Sequence, residues 1–468
     1  MDRYNFSWVV NEMNSTNLKS FKIFGLFNRY DIELPFDKQV NIFIGENGLG
    51  KTTILNCLYY VLEKKYTQLE NIPFQKIEIS FKNSYAPLTI NKIDVIAYNQ
   101  KRNGRRAFYD EDFFDFFLSE LRITQDDLDV LSADEFNYLV HHYSNMQGIP
   151  PHVARKQLIN MIETRNMSKH GRIKGDEKKI QTLNKAINEN VTERIIYLPT
   201  YRRIENDFST LNIRNEELNN SELLIRFGMS DVQKYIDTIL DQIRNLAVEG
   251  FNKMTGLLLG QYTDGDNILS HGSNTINLEI VKIVLNRLGD KIDLETKHNI
   301  IKLIETEKIY GRNYLHLLNL LHKLIANYDQ QKHYDDRING FVDTCNKYLN
   351  DKQFRYNPSN LTLKIYMDDA HEDQEPVKLT QLSSGEKQIV SLFSKLYLES
   401  DEESIVIIDE PELSLSIKWQ QMLLPDIMRS QNCKFLLTVT HSPFVFENEF
   451  DMDAREIRAY MSKGDGGF

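Results

Sequence analysis

Residues 45–53 read Gly-Glu-Asn-Gly-Leu-Gly-Lys-Thr-Thr. They match the pattern G-x-x-x-x-G-K-[ST] of a phosphate-binding loop. The apolar run over 40–44 precedes them, and the residues that follow show helical spacing of apolar side chains. Strand, loop and helix in this order are the setting in which such a loop occurs. The stretch therefore predicts an α/β fold whose mixed sheet is built around a P-loop core.

The chemistry of this loop predicts a nucleotide ligand. Successive backbone N–H groups and a helix N-terminus form a concave anion site, and glycines let the backbone approach phosphate oxygens closely. We expect Lys51 to reach the β- and γ-phosphates of ATP and the hydroxyl of Thr52 to ligate Mg²⁺. The predicted nucleotide-binding residues are Asn47, Gly48, Gly50, Lys51, Thr52 and Thr53.

Bulk composition narrows the class of protein. The 468 residues are 41% hydrophobic, which is enough for a sizeable core. The formal charge of −11 argues against a chain-wide nucleic-acid binder and leaves room for a local basic patch. Three widely spaced cysteines (Cys57, Cys345 and Cys433) predict reduced, buried thiols. With no secretory signal and no long apolar run in view, we expect a cytoplasmic protein.

A second chemical block begins with an apolar strand over 405–408 that ends in Asp409 and Glu410. Such a strand is typical of a buried parallel sheet, whose carboxyl edge is where α/β proteins bind ligands. In a nucleotide site Asp409 is expected to hold Mg²⁺, and Glu410 to polarise the attacking water as general base. Taken alone, an aspartate at a strand end is equally a helix cap.

Two further segments flank this strand. Residues 382–388 read Leu-Ser-Ser-Gly-Glu-Lys-Gln and precede an apolar helix, so Ser383 or Ser384 is predicted to cap that helix with Glu386 in its first turn. A helix N-terminus with small residues is also a phosphate-binding device. The strand predicted over 434–440 ends at His441, which we interpret as a γ-phosphate contact.

Taken in order, these four segments resemble the ABC-type ATPase head shared by SMC, recombination-mediator and overcoming-lysogenisation-defect proteins. Residues 383–386 are similar to the ABC signature Leu-Ser-Gly-Gly-Gln/Glu, with Ser384 in place of a glycine and Glu386 in place of the transporter glutamine. The run Leu-Ser-Ser-Gly-Glu-Lys-Gln resembles bacterial stand-alone ATPases of the AAA15 and AAA21 groups. Those proteins often carry histidine where this chain has Ser416.

The resemblance implies a mechanism in which two copies share each nucleotide. Glu410 and His441 would act on the ATP held by their own P-loop, whereas the signature residues would cap the partner's ATP. Two ATP molecules would then join a homodimer, from which a higher homo-oligomer could grow. The usual glutamine loop is not identified, since the comparable stretch 197–203 contains no glutamine. The signature residues expected to act in trans are Ser383, Ser384, Gly385 and Glu386.

The motifs leave two insertions between the parts of the head. The first, 101–190, is acidic and then basic, and is interpreted as a helical piece with a solvated loop or as a partner or DNA contact. In the second, apolar residues from Val232 to Leu246 follow the spacing of a short coiled coil. The predicted domains are head 1–100, insertion 101–190, head strand 191–204, helical insertion or short arm 205–360, and head 361–468.

Stand-alone heads of this layout resemble ATPase components of bacterial anti-phage systems. The PARIS type implies a scaffold and sensor that detects a phage protein and then releases a TOPRIM-like nuclease effector. A Septu-type ATPase with an HNH nuclease partner and a recombination-mediator ATPase that clamps DNA are the alternatives. No nuclease block is recognised in the chain itself, so the effector is expected to be a separate protein and no membrane partner is expected.

Overall fold

The computed structural model describes residues 16–102, 117–118, 120–121, 123, 133–147, 150–151, 154–155, 158–159, 162, 176–199, 228–264, 276–288, 292–369, 375–430 and 432–463. Its β-strands are β1 Leu18–Leu26, β2 Tyr30–Pro35, β3 Val40–Ile44, β4 Lys76–Phe81, β5 Leu88–Asn91, β6 Arg194–Leu198, β7 Lys352–Asn357, β8 Thr362–Met367, β9 Ser404–Asp409, β10 Cys433–Thr440, β11 Ala454–Glu456 and β12 Met461–Lys463.

The α-helices are α1 Lys51–Leu62, α2 Tyr66–Leu69, α3 Lys92–Arg102, α4 Ala133–Gln147, α5 Glu177–Asn190, α6 Met229–Asp264, α7 Leu278–Arg287, α8 Leu294–Glu305, α9 Leu315–Asn346, α10 Ser384–Ser394 and α11 Ile417–Met428. A π-helical turn, Lys395–Glu399, continues α10. Short 3₁₀ helices cover Lys308–Tyr310, Arg312–Tyr314, Leu379–Gln381, Pro443–Val445, Asp451–Asp453 and Ile457–Tyr460.

The chain divides into two compact units. The first comprises residues 1–39, 45–195 and 455–468, and the second comprises 40–44 and 196–454. The domain boundaries predicted from the motifs remain predictions.

The first unit contains a sheet of order β12-β2-β1-β4-β5. Strand β1 pairs antiparallel with both β2 and β4, and alternate residues such as Phe21, Ile23 and Leu34 are buried. This is the period-2 pattern of a sheet with one apolar face. Helix α1 follows the phosphate-binding loop and buries the predicted stripe of apolar residues that begins at Ile54.

One expectation in this unit is wrong. Residues Ile93, Val95 and Ile96 give a strand-like signal, but they lie in helix α3. The buried positions Lys92, Val95 and Asn99 follow helical spacing. Tertiary packing therefore outweighs the β-propensity of a short β-branched run, which is a weak and context-dependent preference.

The second unit is built on a parallel set of strands within a sheet of order β11-β3-β10-β9-β6. Strand β10 runs parallel to both of its neighbours, and every residue of β9 is buried, as the sequence predicts. The register pairs Thr440 with Ile44 and Val439 with Asp409. The carboxyl ends of β3, β10 and β9 therefore lie side by side at one edge of the sheet.

Helices cover this sheet and form the core of the second unit. The seam residues Val232, Ile236, Ile239 and Ile243 of α6 are buried in the same apolar cluster as Ile389 and Phe393 of α10. The sequence also shows apolar residues at helical spacing from Leu315 to Cys345, and these belong to one long helix, α9. A separate apolar cluster joins α7 and α8 to the beginning of α9. The predicted α/β class with a P-loop core and helical insertions is thus confirmed.

Within the described part of the chain the three cysteines form no disulfide and are buried, as expected. Burial raises the pKa of Cys433 and of Cys57 to about 12, which makes both thiols unreactive. Among the described residues, no helix combines the length and apolar character needed to cross a bilayer.

Candidate functional site

The phosphate-binding loop is curled around the side chain of Lys51. Its Nζ donates to the carbonyl oxygens of Gly45 (2.9 Å) and Glu46 (3.2 Å) and to Oδ1 of Asn47 (3.4 Å). The side chain of Lys51 is buried, whereas Asn47 and Gly48 at the tip of the loop are exposed. The ammonium group is thus held inside the loop, where phosphate oxygens could replace its carbonyl partners.

Gly50 ends the loop and caps helix α1 in the left-handed conformation, with φ +80°. A Cβ at this position would lie 2.8 Å from Cε2 of Phe27, in the turn between β1 and β2. Glycine is therefore required here for its backbone conformation and for space. Thr52 and Thr53 follow in the first turn of α1, and the N-terminus of a helix is a place where backbone N–H groups can bind an anion.

The strand β9 ends in the predicted carboxylate pair of the second unit. Asp409 is fully buried and is the last residue of the strand. Glu410 has φ +49°, and its N–H donates to the carbonyl oxygen of Val439 (2.8 Å). A non-glycine residue in this conformation costs about 1 kcal/mol, and such strain concentrates at functional sites. The turn directs the chain out of the sheet immediately after Asp409.

His441 follows the neighbouring strand β10 and contacts two acidic side chains. Its Nδ1 lies 3.0 Å from Oε1 of Glu412 and 4.0 Å from Oε1 of Glu410. The side chain of His441 is 44% exposed, so the ring is accessible to a ligand. The structure therefore brings the predicted Glu410 and His441 together and adds Glu412, which the sequence analysis did not assign.

The signature segment forms a capping box at the start of α10. The hydroxyl of Ser383 accepts from the N–H of Glu386 (3.4 Å), and the N–H of Ser383 donates to Oε2 of Glu386 (2.7 Å). This geometry decides between the two predicted caps in favour of Ser383. Ser383 and Ser384 are exposed at the helix N-terminus, whereas Glu386 is buried. The segment thus presents two hydroxyls and a helix N-terminus to a possible anionic ligand.

Gly385 leaves no room for a side chain. A Cβ there would lie 2.8 Å from the carbonyl oxygen of Ser414 and 2.9 Å from Cζ3 of Trp419. Ser414 itself has φ +64°, and Ser416 caps helix α11 by accepting from the N–H of Trp419 (3.4 Å). The signature turn is therefore packed directly against the segment that follows the carboxylate pair.

The proposed metal ligands are hard oxygen donors that suit Mg²⁺. Thr52 lies in the first unit and Asp409 in the second, and each offers an oxygen of the required type. Among the described residues, no group of three or more His, Cys, Asp or Glu side chains could hold a metal ion. Mg²⁺ in nucleotide sites takes only one or two protein ligands and completes its shell with phosphates and water, so a hydroxyl or a carboxylate oxygen is a suitable donor type.

Sequence reasoning missed three residues that support these segments. Ile457 and Arg458 lie beside the phosphate-binding loop, where Ile457 restricts Gly45 and Arg458 pairs with Glu46 (2.9 Å). No local signal links this C-terminal stretch to the loop. Glu412 is the last residue of the run Asp-Glu-Pro-Glu. A second glutamate so close to Glu410 is the sequence signal that could have pointed to it.

Several residues singled out in the sequence lie outside the part of the chain that the structure describes. They are Tyr201, Arg202 and Arg203 after the head strand, and His371 in a polar, acidic run of sequence. Residues 108–116 of the acidic part of the first insertion and 169–175 at the beginning of its basic part also lie outside. Within the described part of the basic stretch, Lys179 approaches Asp94 (3.6 Å) and Lys185 approaches Glu189 (3.9 Å).

A protein-family model matches most of the chain. The sequence model of the AAA_15 family, described as an AAA ATPase domain, matches residues 17–446. Two curated relatives, both DNA replication and repair protein RecF, match locally. The Clostridium kluyveri protein is 42% identical over 43 residues, and the Halalkalibacterium halodurans protein is 31% identical over 77 residues. These matches cover 9% and 14% of this chain and 12% and 20% of the relatives, so the chain spans only a small part of their length.

Two solved Smc head domains are also similar. The Pyrococcus furiosus head with an extended coiled coil, bound to the C-terminal domain of ScpA, is 15% identical with a TM-score of 0.33. The match covers 92% of this chain and 90% of that one. The Pyrococcus yayanosii head with a coiled coil and joint is 16% identical with a TM-score of 0.31, covering 92% and 93%.

Proposed function

Because the chain belongs to the AAA_15 family of ATPase domains, we propose that it binds ATP with Mg²⁺ and hydrolyses it to ADP and phosphate. The observation that carries this proposal is the parallel register of β3, β10 and β9, whose carboxyl ends lead into residue 45, His441 and Glu410. Open α/β sheets bind ligands at this edge.

Each residue has a distinct role in the proposed reaction. The loop 45–53 holds the triphosphate through backbone N–H groups and Lys51. Glu410 accepts a proton from water as the water oxygen attacks the γ-phosphorus and the bond to the ADP oxygen breaks. His441 contacts the γ-phosphate. A bound Mg²⁺, held by Thr52 and Asp409, would neutralise charge on the β- and γ-phosphate oxygens.

The proposed active assembly is a homodimer that shares its nucleotides. The exposed hydroxyls of Ser383 and Ser384 at the N-terminus of α10 would cap the ATP bound by the partner. In this arrangement Gly385 lets the signature turn pack tightly, and Glu386 fixes its capping box. The same surface patch then serves both subunits, as a two-fold interface requires.

Two substitutions test the hydrolysis. We expect Lys51→Ala to abolish ATP binding, since the ammonium contact to the phosphates is lost. We expect Glu410→Gln to keep ATP binding and to slow turnover by roughly 10²–10⁴-fold, the contribution of a general base. Binding is measured by calorimetry and turnover by phosphate release. Equal turnover in Glu410→Gln and the parent protein would refute the assignment.

The finer role that we propose is that of a nucleotide-gated scaffold and sensor in anti-phage defence. The signature variant Leu-Ser-Ser-Gly-Glu-Lys-Gln and the two insertions resemble ATPase subunits such as AriA of the PARIS system. By that resemblance, the ATPase would hold a TOPRIM-like nuclease and release it on meeting a phage protein. Co-purification with the product of the neighbouring reading frame, with and without ATP, tests this role. A Septu-type pairing would instead recover an HNH nuclease.

The local similarity to RecF supports a second candidate, a DNA-repair ATPase that clamps duplex DNA. Phosphate contacts make DNA affinity fall steeply with salt. Strong, salt-dependent binding of duplex DNA by the purified chain alone, enhanced by ATP, would favour this candidate. DNA binding that appears only with a nuclease partner would favour the scaffold.

A further inference from the structure

The side chain of Glu412 is the acceptor for a cluster of donors at the end of β10. The residue as a whole is only 7% exposed. Its Oε2 accepts from the hydroxyl of Thr440 (2.8 Å). Its Oε1 accepts from the backbone N–H of His441 (3.1 Å) and lies 3.0 Å from Nδ1 of the same residue. Three donors from two successive residues therefore satisfy one buried carboxylate, as burial of such a group requires.

The directions of these hydrogen bonds fix where the imidazole carries hydrogen. The backbone N–H of His441 can only donate. A carboxylate oxygen can only accept, so the hydroxyl of Thr440, which itself accepts from the N–H of Ser442 (3.0 Å), donates to Glu412. Because the carboxylate accepts from all its partners, Nδ1 of His441 must donate to it. A carboxylate that accepts from Nδ1 sets the orientation of the imidazole ring and leaves Nε2 for the ligand.

The two neighbouring glutamates are thereby separated in role. Nδ1 of His441 is 3.0 Å from Glu412 and 4.0 Å from Glu410, so Glu412 holds the ring. The Glu412 side chain is 6% exposed and that of Glu410 is 17% exposed. The more accessible Glu410 remains the one placed to meet water.

A buried glutamine braces this arrangement from the other side. Nε2 of Gln420 donates to the carbonyl oxygens of Leu415 (3.0 Å) and Glu412 (3.4 Å), and its Oε1 accepts from the hydroxyl of Ser442 (2.8 Å). The backbone of the segment 412–415 is therefore tied to the residue after His441. This second connection restricts how far the Glu412 carboxylate and the His441 ring can separate.

From these contacts we infer that Glu412 is a positioning residue for hydrolysis, acting through His441. It holds Nδ1 so that Nε2 is presented to the γ-phosphate. The inference rests on the proposed ATPase activity. It assigns to the second glutamate of the Asp-Glu-Pro-Glu run a task distinct from that of Glu410.

A double-substitution cycle tests whether Glu412 acts through His441. We expect His441→Ala to lower kcat about 100-fold and Glu412→Ala to lower it about 10–100-fold, with KM changed less than about threefold. Residues that act as one unit are not additive. The double variant should therefore match His441→Ala within about threefold. A double variant as slow as the product of the two single losses would overturn the inference.

Glu412→Gln separates orientation from a general loss of structure. The side-chain oxygen of a glutamine can still accept from the backbone N–H and from Nδ1 of His441. We therefore expect a smaller loss of kcat than in Glu412→Ala. If Glu412→Ala does not fold, the cycle is run with Glu412→Gln. The matched control is Glu447→Gln, on an exposed glutamate whose Oε2 accepts from the Gln421 amide (3.4 Å), and it should leave turnover unchanged. Equal losses in the Gln and Ala variants, both additive with His441→Ala, would contradict positioning.

Proton NMR of the nucleotide-free protein gives a readout that does not depend on turnover. An imidazole N–H bonded to a carboxylate resonates far downfield. We expect such a signal in the parent and its loss in both Glu412→Ala and His441→Ala. A parent without this signal would overturn the inference even if ATP is hydrolysed. Conversely, if the signal is present but the parent protein hydrolyses no ATP, the proposed function fails while the contact stands.

Discussion

Lys352 Nζ lies 3.0 Å from Oε1 and 3.2 Å from Oε2 of Glu386. Lys352 begins the hairpin of β7 and β8, and Glu386 closes the capping box of the signature helix. Burial by itself would raise the pKa of Glu386. The hydrogen bond from the Ser383 N–H and the Lys352 ammonium outweigh burial, so its pKa lies below the ordinary value. The hairpin therefore stabilises the charged form that the signature turn needs.

The stabilising effect of Glu386 should depend on pH. Because its pKa is lowered on folding, its contribution is complete above the ordinary value of 4.5 and is lost as pH falls through the folded value. We expect Glu386→Gln to lower the free energy of unfolding by about 1–3 kcal/mol near neutral pH. Urea unfolding should show that the difference in unfolding free energy between Glu386→Gln and the parent becomes smaller at acidic pH.

Lys352→Met should produce a similar loss, since it leaves a buried carboxylate without its cation. The control is Lys434→Met, because the partner of Lys434, Glu403, is 59% exposed. That exposed pair should contribute less than about 1 kcal/mol. If the difference in unfolding free energy between Glu386→Gln and the parent stays constant from neutral to acidic pH, the charged form of Glu386 is not what stabilises the turn.

A methyl group at position 385 should disrupt the signature turn. Its Cβ would lie 2.8 Å from the carbonyl oxygen of Ser414, which belongs to the backbone and cannot rotate away. We expect Gly385→Ala to cost about 1–3 kcal/mol in unfolding free energy and to reduce ATP turnover sharply.

Gly256 in α6 provides the matched control for this prediction. A Cβ there would meet nothing within 4 Å. Alanine in an exposed helical position should stabilise the protein by about 0.5–1 kcal/mol. Thermal and urea unfolding distinguish the two variants. A Gly385→Ala protein as stable and active as Gly256→Ala would show that the turn can relax.

A buried ion pair should make a large contribution that depends on both partners. Arg287 of α7 donates to both carboxylate oxygens of Asp335 in α9, each at 2.7 Å, and the two side chains are 2% and 5% exposed. Removing one partner leaves the other charge buried without its counter-ion. Arg287→Met should therefore lower the free energy of unfolding by about 3–5 kcal/mol. Arg244→Met, which breaks an exposed pair with Asp241, should cost less than about 1 kcal/mol.

The double variant Arg287→Met, Asp335→Leu completes this experiment. It removes both charges, so it should recover much of the stability lost in Arg287→Met. Urea midpoints of the four proteins give the coupling. Additive losses in the double variant would mean that the two side chains do not depend on each other.

Mixing two inactive variants should restore ATP turnover if the site is shared between subunits. Lys51→Ala disables the phosphate-binding loop. Ser384→Glu adds a negative charge at the exposed signature turn, where it is compatible with the helix N-terminus but would repel a phosphate. A mixed dimer contains one intact loop facing one intact signature, so activity should reappear on mixing.

Phosphate release by the separate and mixed proteins measures this effect. Each variant alone should lose about 100-fold or more in turnover, as expected when an electrostatic contact to the reacting group is removed. A mixture no more active than the sum of its components would argue against capping in trans. The control is to mix either variant with a double variant, Lys51→Ala, Ser384→Glu. No intact loop then faces an intact signature, so activity should not return.

Features that depend on short stretches of chain can be predicted from local sequence. The loop 45–53 can be predicted because its whole sequence pattern lies within nine successive residues. The buried strand ending at Asp409 and the stripe of α1 were readable because side-chain periodicity reports which faces are buried. The capping box was predicted for the same reason, although only the structure chose Ser383 over Ser384.

Tertiary structure decided what depends on residues distant in the chain. It placed Ile93, Val95 and Ile96 in a helix, against a weak local preference for strand. It brought Glu412 to His441 and Lys352 to Glu386, pairs separated by 29 and 34 residues. Such contacts follow from strand register and packing, which are properties of the folded chain. Local pattern therefore predicts the chemistry, while long-range packing determines which side chains lie beside the predicted residues.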